Sequence, residues 1–495
     1  MEYPSFIWQQ GVSENETRRA VIPENVLTDL KITDMVRGDL KKYTLIPCES
    51  AEIVKRQGVF QSIEKNTASL GALVEIKNAV MEYKKIYMAY EVSESGTEKV
   101  LFFAVLVSSF INICERLAEL GKTDGIFVQI SGFFRDMLES AYITGLAGEI
   151  RACMLLRREE VRATVNGSSV TAVENAESMQ NRFAGWFRRM GIEEELPTNK
   201  ARRRLDTQCL EAYANIYRTY FHHAGEIYRK YRDSLMGEEY RMGDILYYND
   251  EIAFIIDTNR YLDKFKKLGY PLCYPKPCEK RQIEAEGLID AALVYRELTV
   301  DEIVPNDVRM YRERDGEKLN FYILSGANGG GKTTYLRAVG GAVLMFLLGL
   351  PITAKRAEIY PFRYLFTHFP SNETFENSGR FADEEKRAGE IRERAGADTV
   401  ALFNETYSGT DEKKSEDYSI RLATEMYEKG VFGLYVTHIH SLTNGEIPVL
   451  AAQIDETDEN RRTYKIRRVS RTSSSYAYDI LKKYHLDRES LENGR

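Results

Sequence analysis

The stretch Phe321-Tyr-Ile-Leu-Ser-Gly326-Ala-Asn-Gly-Gly-Gly-Lys-Thr333 decides the fold. An apolar strand, Phe321 to Leu324, runs into a glycine-rich turn, and a helical stretch, Tyr335 to Leu348, opens directly after it. Gly326 to Thr333 fits G-x-x-x-x-G-K-[ST] without a mismatch, in the strand–turn–helix setting that this pattern requires. Glycines let backbone N–H groups come close to phosphate oxygens, and the N-terminus of the following helix adds partial positive charge. Lys332 is placed to neutralise the β- and γ-phosphates of a nucleotide, and the hydroxyl of Thr333 is the expected magnesium ligand. The candidate nucleotide contacts are therefore Gly326, Ala327, Asn328, Gly329, Gly330, Gly331, Lys332, Thr333 and Thr334.

Two more elements belong beside such a loop. Thr399-Val-Ala-Leu-Phe-Asn-Glu405 is an apolar strand that ends in a polar pair. Such strands usually end in Asp then Glu, the first holding the metal and the second orienting water. Here Asn404 takes the metal position as a neutral amide, which predicts weaker metal binding and slow turnover. Glu405 keeps the general-base role open. Tyr435-Val-Thr-His438 is a strand that ends in a histidine placed to touch the γ-phosphate, with His440 as the lesser candidate.

Working outward, proline placement divides the chain. No proline occurs from Cys48 to Leu196 or from Thr198 to Tyr270, and both tracts have helical spacing, as in Ile143 to Arg157 and Leu210 to Tyr220. Asn166 to Ser169 and Gly191 to Asn199 read as breaks at helix tips. After Gly269 to Pro277 short apolar strands alternate with helical stretches, the pattern of a mostly parallel sheet. The expected fold class is α + α/β: a long all-helical core and lever region, then an ABC-type phosphate-loop α/β domain. The boundaries expected are 1–95 for an N-terminal helical core segment, 96–278 for the core and lever with a tip near 155–205, 279–455 for the α/β domain, and 456–495 for a C-terminal tail, placed to contact a dimer partner.

Composition bounds the rest. The chain has 495 residues, 43% hydrophobic and 29% charged, which excludes a disordered or fibrous protein. A net charge of −7 argues against indiscriminate coating of nucleic acid and leaves room for a local basic face. Cysteines stand at 48, 114, 153, 209, 273 and 278; only Cys273 and Cys278 are close, and no second pair completes a zinc site. The start lacks a signal-peptide pattern, and the apolar run from Val100 to Cys114 is short of the roughly 20 residues of a membrane span. A cytoplasmic protein without membrane association is expected.

Taken together, the motifs resemble the ATPase domain of the MutS family of DNA mismatch-repair proteins, over about Ile303 to Leu442. The loop Gly326 to Arg337 resembles the family's Gly-Pro-Asn-Met-Gly-Gly-Lys-Ser-Thr-Tyr-Met-Arg, and Pro351-Ile-Thr-Ala354 its Val-Pro-Ala. Asn404 to Thr410 is similar to Asp-Glu-x-x-x-Gly-Thr, with Asn in place of Asp, and Thr437-His438 to the family's Ala-Thr-His. Ile303 to Asp307 resembles the segment that approaches the nucleotide base, and Arg56 to Phe60 the opening of the helical core. The resemblance implies ATP and Mg2+ as cofactors, Glu405 and His438 as catalytic residues, Thr333 and Asn404 at the metal, and a homodimer whose lever helices grip DNA when ATP closes it. It implies a short member without the mismatch-reading N-terminal domain, because the only Phe-x-Glu is Phe403-Asn-Glu405. No nuclease module is expected after the short helical stretch Tyr478 to Tyr484. The family's Ser-Thr-Phe signature, which reaches the partner's nucleotide, is rewritten as Ser378-Gly-Arg-Phe-Ala-Asp-Glu384, leaving Ser378 or Arg380 for that contact.

From Arg151 to Leu235 the chain carries 15 basic and 11 acidic residues. Arg182, Arg188, Arg189, Lys200, Arg202, Arg203 and Arg204 lie there among aromatics such as Trp186, a composition suited to phosphates and bases without sequence reading. A solvated helical face is the equal alternative. The tyrosines at 213, 217, 220, 228 and 231 read as packing residues. Two other functions stay open: an ATP-binding module with little hydrolysis, and an ATPase that senses structured RNA or a ribosome instead of DNA.

Overall fold

The computed structural model describes residues 2–14, 19–33, 43–94, 96–121, 125–158, 161–165, 168–172, 207–370, 377–407, 412–454 and 462–469. The chain divides into two compact units, Met1–Arg18 with Gly58–Asp257, and Arg19–Gln57 with Thr258–Arg495. Two of the three divisions fall inside helices, Ser50–Lys65 and Tyr247–Lys267.

The first unit is built around helix Gly96–Glu119. It packs against Ala68–Val92, Gly125–Glu139, Ala141–Arg158 and Thr207–Met236. Phe103, Ala104, Leu106, Val107, Phe110, Ile113, Cys114 and Leu117 of this helix are wholly buried. An apolar surface on nearly every side is what a central helix needs. Among the described residues it is the one helix long and apolar enough to cross a membrane, which the Val100 to Cys114 run did not foretell, and 61% of its apolar window is buried inside the unit. Residues 2–13 are not helical; they pack here through Tyr3, Phe6 and Trp8. The buried carboxylate of Glu251 accepts hydrogen bonds from the Ser5 hydroxyl (2.6 Å) and the Phe6 amide (2.8 Å), which gives this segment its polar anchor.

The expectation of an all-helical region needs a correction. Strands β1 (Val161–Val165) and β2 (Ser168–Ala172) pair antiparallel, with Val165 opposite Ser168. The Val-Arg-Ala-Thr-Val run has the alternation and β-branching of a strand, and a two-residue Asn-Gly connection is a hairpin signal. Residues 173–206 lie outside the described residues.

The second unit has two sheets. Strands β3 (Lys276–Pro277), β4 (Gln282–Leu288), β5 (Asn306–Arg314), β6 (Glu317–Leu319) and β8 (Arg356–Ile359) form a five-stranded sheet in the order β3-β8-β4-β5-β6, antiparallel except for β3 beside β8. Of this sheet, the Asp315-Gly316 turn between β5 and β6 is what leaves a signal in the sequence. Strands β7 (Phe321–Ser325), β9 (Tyr364–His368), β10 (Thr399–Asn404), β11 (Phe432–Val436), β12 (Val449–Ile454) and β13 (Arg462–Val469) form the other, in the order β13-β12-β7-β11-β10-β9. It is parallel except for β13, which runs antiparallel to β12. The expected mostly parallel sheet is this one. Its strands β7, β10 and β11 are continuous apolar runs because both faces are covered.

The 19–57 segment belongs to the second unit: helix Asn25–Asp29 packs on β9, and the Cys48 amide donates to the Leu347 carbonyl (2.8 Å). Strand β13, Arg462–Val469, lies within the stretch expected as a tail, 456–495.

Helix Lys332–Leu347 is buried along nearly its whole length. Its Arg337 is paired with Asp290 (Nε–Oδ2 3.0 Å), with only 8% and 2% of the two side chains exposed. Asp290 also accepts from the Ala292 amide (3.0 Å) at the head of the turn Ala291–Arg296. Burial pushes the Asp290 carboxyl above its usual range, and the neighbouring Arg337 pulls it back. Removing one member of such a pair strands a buried charge. Asp290→Ala is expected to cost about 3–5 kcal/mol in urea unfolding, and Asp290→Asn less.

Candidate functional site

The site lies at the C-terminal ends of β7, β11 and β10, three neighbours in the parallel sheet. In open α/β sheets this end of the strands collects ligands. Register fixes the heights: Asn404 pairs with Val436, and Val436 with Leu324. Beyond the strands the ladder continues, with the Glu405 amide donating to the Val436 carbonyl (2.9 Å) and the Thr437 amide to the Leu324 carbonyl (3.1 Å). The glycine-rich turn, the Asn404-Glu405 pair and Thr437-His438 are thus brought side by side by backbone hydrogen bonds.

The turn owes its shape to glycine at two places. Gly331 caps helix Lys332–Leu347 with φ 89°, in the left-handed region. Gly326 has φ 124°, and a Cβ there would stand 3.1 Å from the backbone nitrogen of Ala452. Lys332, 5% exposed, folds back over the turn and donates to the carbonyls of Gly326 (2.8 Å) and Ala327 (3.1 Å). Burial lowers its pKa and the Glu405 carboxylate opposes that shift. The hydroxyl of Thr333 donates to Asn404 Oδ1 (3.3 Å). Thr334 is turned differently: its hydroxyl oxygen accepts from Arg337 Nη2 (3.4 Å). Asn328 and Gly329 are exposed at the tip.

Glu405 and His438 face each other, Oε1 to Nε2 at 3.0 Å, with 39% and 43% of their side chains exposed. Glu405 takes φ 51°, an uncommon conformation for a residue with a side chain. His440 opens the short turn His440–Asn444 and is exposed. The Ile303 to Asp307 segment borders the same place: the Tyr335 hydroxyl donates to the Asp307 carbonyl (3.0 Å), and Asn306 Nδ2 to the Tyr464 carbonyl (3.0 Å). The ring of Tyr464, half exposed, stands where a Cβ on Gly331 would touch it at 3.4 Å.

The oxygens of Thr333 and Asn404 suit a small hard cation, which prefers oxygen ligands. Both are neutral, so the pair offers less charge than a hydroxyl with a carboxylate. Helix Asn377–Arg394 covers the rewritten Ser378 to Glu384 stretch, and the side chains of Ser378 and Arg380 are outside the described residues, as are Ser408 to Thr410. Arg182, Arg188, Arg189, Lys200, Arg202, Arg203, Arg204 and the Tyr478 to Tyr484 stretch also lie outside them.

Sequence reasoning missed three residues here. Tyr464 lies on a strand that had been read as tail. His368 ends β9, and Thr406 directly follows Glu405. His368 Nδ1 is 3.2 Å from the Thr406 hydroxyl, and its Nε2 is 3.1 Å from the Glu384 carbonyl. No motif marks the pair, since they meet only when β9 lies beside β10.

Residues 322–485 match the family model for MutS domain V. Among curated relatives, the chain is 33% identical over 141 residues to the endonuclease MutS2 of Thermus thermophilus, covering 28% of this chain and 19% of that protein. It is 25% identical over 204 residues to the endonuclease MutS2 of Shouchella clausii, covering 40% and 25%. The endonuclease MutS2 of Agathobacter rectalis is 27% identical over 208 residues, again 40% and 25%. The matched segments thus span a quarter or less of those relatives' own length.

Burial, with the Arg387 guanidinium adding to it, holds the His368 imidazole down at about 4 from its ordinary 6.5. The unfolded chain therefore binds the extra proton between those two values, and stability falls as pH drops through that window. The difference is roughly 3 kcal/mol once pH is below 4. Urea unfolding from pH 7 to 4 should show this component in the native protein and lose it in His368→Phe.

Proposed function

We propose that the chain, which matches MutS domain V over residues 322–485, is a MutS-type ATP-dependent DNA-binding protein, a slow ATPase whose nucleotide state switches a dimeric grip on DNA. The observation that carries the reading is the meeting of three elements at one sheet end: the Lys332 turn, Thr333 with Asn404 at 3.3 Å, and Glu405 with His438 at 3.0 Å.

In this reading the loop amides from Gly326 to Thr334 and the Lys332 ammonium bind the triphosphate. Lys332 gives up its bonds to the Gly326 and Ala327 carbonyls for phosphate oxygens. Thr333 and Asn404 would hold Mg2+, which would supply charge neutralisation to the phosphates. Glu405 orients water and takes its proton, and His438, hydrogen-bonded to Glu405, senses the γ-phosphate. Ile303 to Asp307 and the Tyr464 ring border the place of the base. ATP would favour a closed dimer by binding it more tightly than the open one. The helices of the first unit would carry the change to a DNA clamp, and Arg182 to Arg204 would contact phosphates without reading sequence. Mismatch reading is not part of the proposal.

One observation favours a second reading, a module that holds ATP and scarcely hydrolyses it: the metal position is an amide. Asn404→Asp separates the two. As a slow ATPase, the protein should gain roughly tenfold in turnover from the added carboxylate. A pure binding module should gain nothing. Lys332→Ala should abolish tight ATP binding and hydrolysis; full activity in that variant would overturn the assignment. Turnover is measured with linear duplex, branched DNA and single-stranded RNA, while mass is followed with and without ATP. Stimulation by a DNA form together with dimers supports the clamp, and stimulation by RNA alone redirects the partner to RNA or a ribosome.

A further inference from the structure

We propose that His368 is a positioning residue for Glu405: it latches Thr406 and so holds the carboxylate of the preceding residue facing His438. The inference rests on the reading of Glu405 given above and adds a residue that no motif assigns.

The strand end that carries Glu405 is strained. Glu405 and Tyr407 both lie in the left-handed region, φ 51° and 69°, on either side of Thr406. Residues with a Cβ reach that region at a cost, and persist there only where their surroundings over-determine them. Thr406 is where the surroundings act. It is 3% exposed, and its carbonyl accepts from the Tyr435 hydroxyl (3.2 Å), itself 2.9 Å from the Ser419 hydroxyl. Its own hydroxyl meets His368 Nδ1 at 3.2 Å.

The direction of that bond follows from the other ring nitrogen. His368 Nε2 faces the Glu384 carbonyl, which can only accept, so Nε2 carries the proton. A neutral ring then presents a bare Nδ1, and Thr406 must donate to it. His368 is 1% exposed and stacks on Phe403, so the acceptor is rigidly held. Threonine is stiff about χ1, and fixing its hydroxyl fixes the backbone that bears it. The arrangement ties the helix Asn377–Arg394, which carries Glu384, to the residue beside Glu405.

Three variants test the latch. His368→Phe keeps a ring and removes the acceptor. Thr406→Val keeps the shape and removes the donor. His368→Asn restores an acceptor near the place of Nδ1. Each is measured for ATP affinity, turnover, melting temperature and the side-chain 15N resonance of His438 in histidine-labelled protein. The expected result is a turnover loss of roughly 10- to 100-fold in His368→Phe and in Thr406→Val, with ATP affinity kept. The double variant is no worse than either single one, His368→Asn recovers part of the loss, and the His438 resonance moves wherever turnover falls. A lower melting temperature with turnover and the His438 resonance unmoved would overturn the proposal and leave His368 a packing residue. If the native protein binds ATP without hydrolysing it, the reading of Glu405 as a catalytic group fails. The His438 resonance then decides the latch by itself: moved in both variants supports it, unmoved overturns it.

Discussion

The backbone ladder among β7, β11 and β10 is the constraint on which the site depends. Phe403 opposite Tyr435, and Tyr435 opposite Ile323, set the register, and all three side chains are buried. Because both faces are covered, a slip by one residue would exchange the side chains packed on each face and draw the polar residue after each run into the buried sheet. With the register fixed, the polar residues that follow each strand must stand together. The chemistry of the site is thus a consequence of where three apolar runs stop.

The elements around that ladder support it in different ways. Helix Lys332–Leu347 is buried along nearly its whole length, and the charge buried in its middle, Arg337, is answered by Asp290. The 19–57 segment contributes Asp29, whose carboxylate accepts from the Thr367 hydroxyl (2.6 Å) and from Arg387. Arg387 belongs to the same helix as Glu384, whose carbonyl fixes the His368 ring. A segment distant in sequence is therefore part of the frame behind the Glu405 turn.

The amide at Asn404 sets the chemical character of the site. Thr333 and Asn404 offer oxygen donors without charge, while Glu405, one residue on, supplies the only carboxylate in the meeting of the three motifs. In the proposed reading, the carboxylate that would take a proton is kept, and the side chain that would hold a cation is a neutral amide. In the first unit, a different arrangement prevails: helix Gly96–Glu119, with a long buried apolar middle, is packed against four others, and the buried Glu251 anchors the Ser5-Phe6 segment.

The sequence by itself determined the turn from Gly326 to Thr333, the strands that end at Asn404 and Val436, and the helical character of the first unit. These are local matters: glycine where φ must be positive, apolar runs of strand length, proline-free tracts at helical spacing. It also carried the family resemblance, since those residues are contiguous. Only the tertiary structure decided that β13 closes the sheet beside the loop, that residues 19–57 belong to the second unit, and that a second, antiparallel sheet exists. Asp315-Gly316 joins β5 to β6 and is a local hairpin signal, but β3, β4 and β8 pair with strands distant along the chain, and that pairing leaves none. The meeting of His368 with Thr406 is of the same kind. Thirty-eight residues separate them, and the order β11-β10-β9, set by packing and by crossover helices, is what brings the acceptor to the hydroxyl.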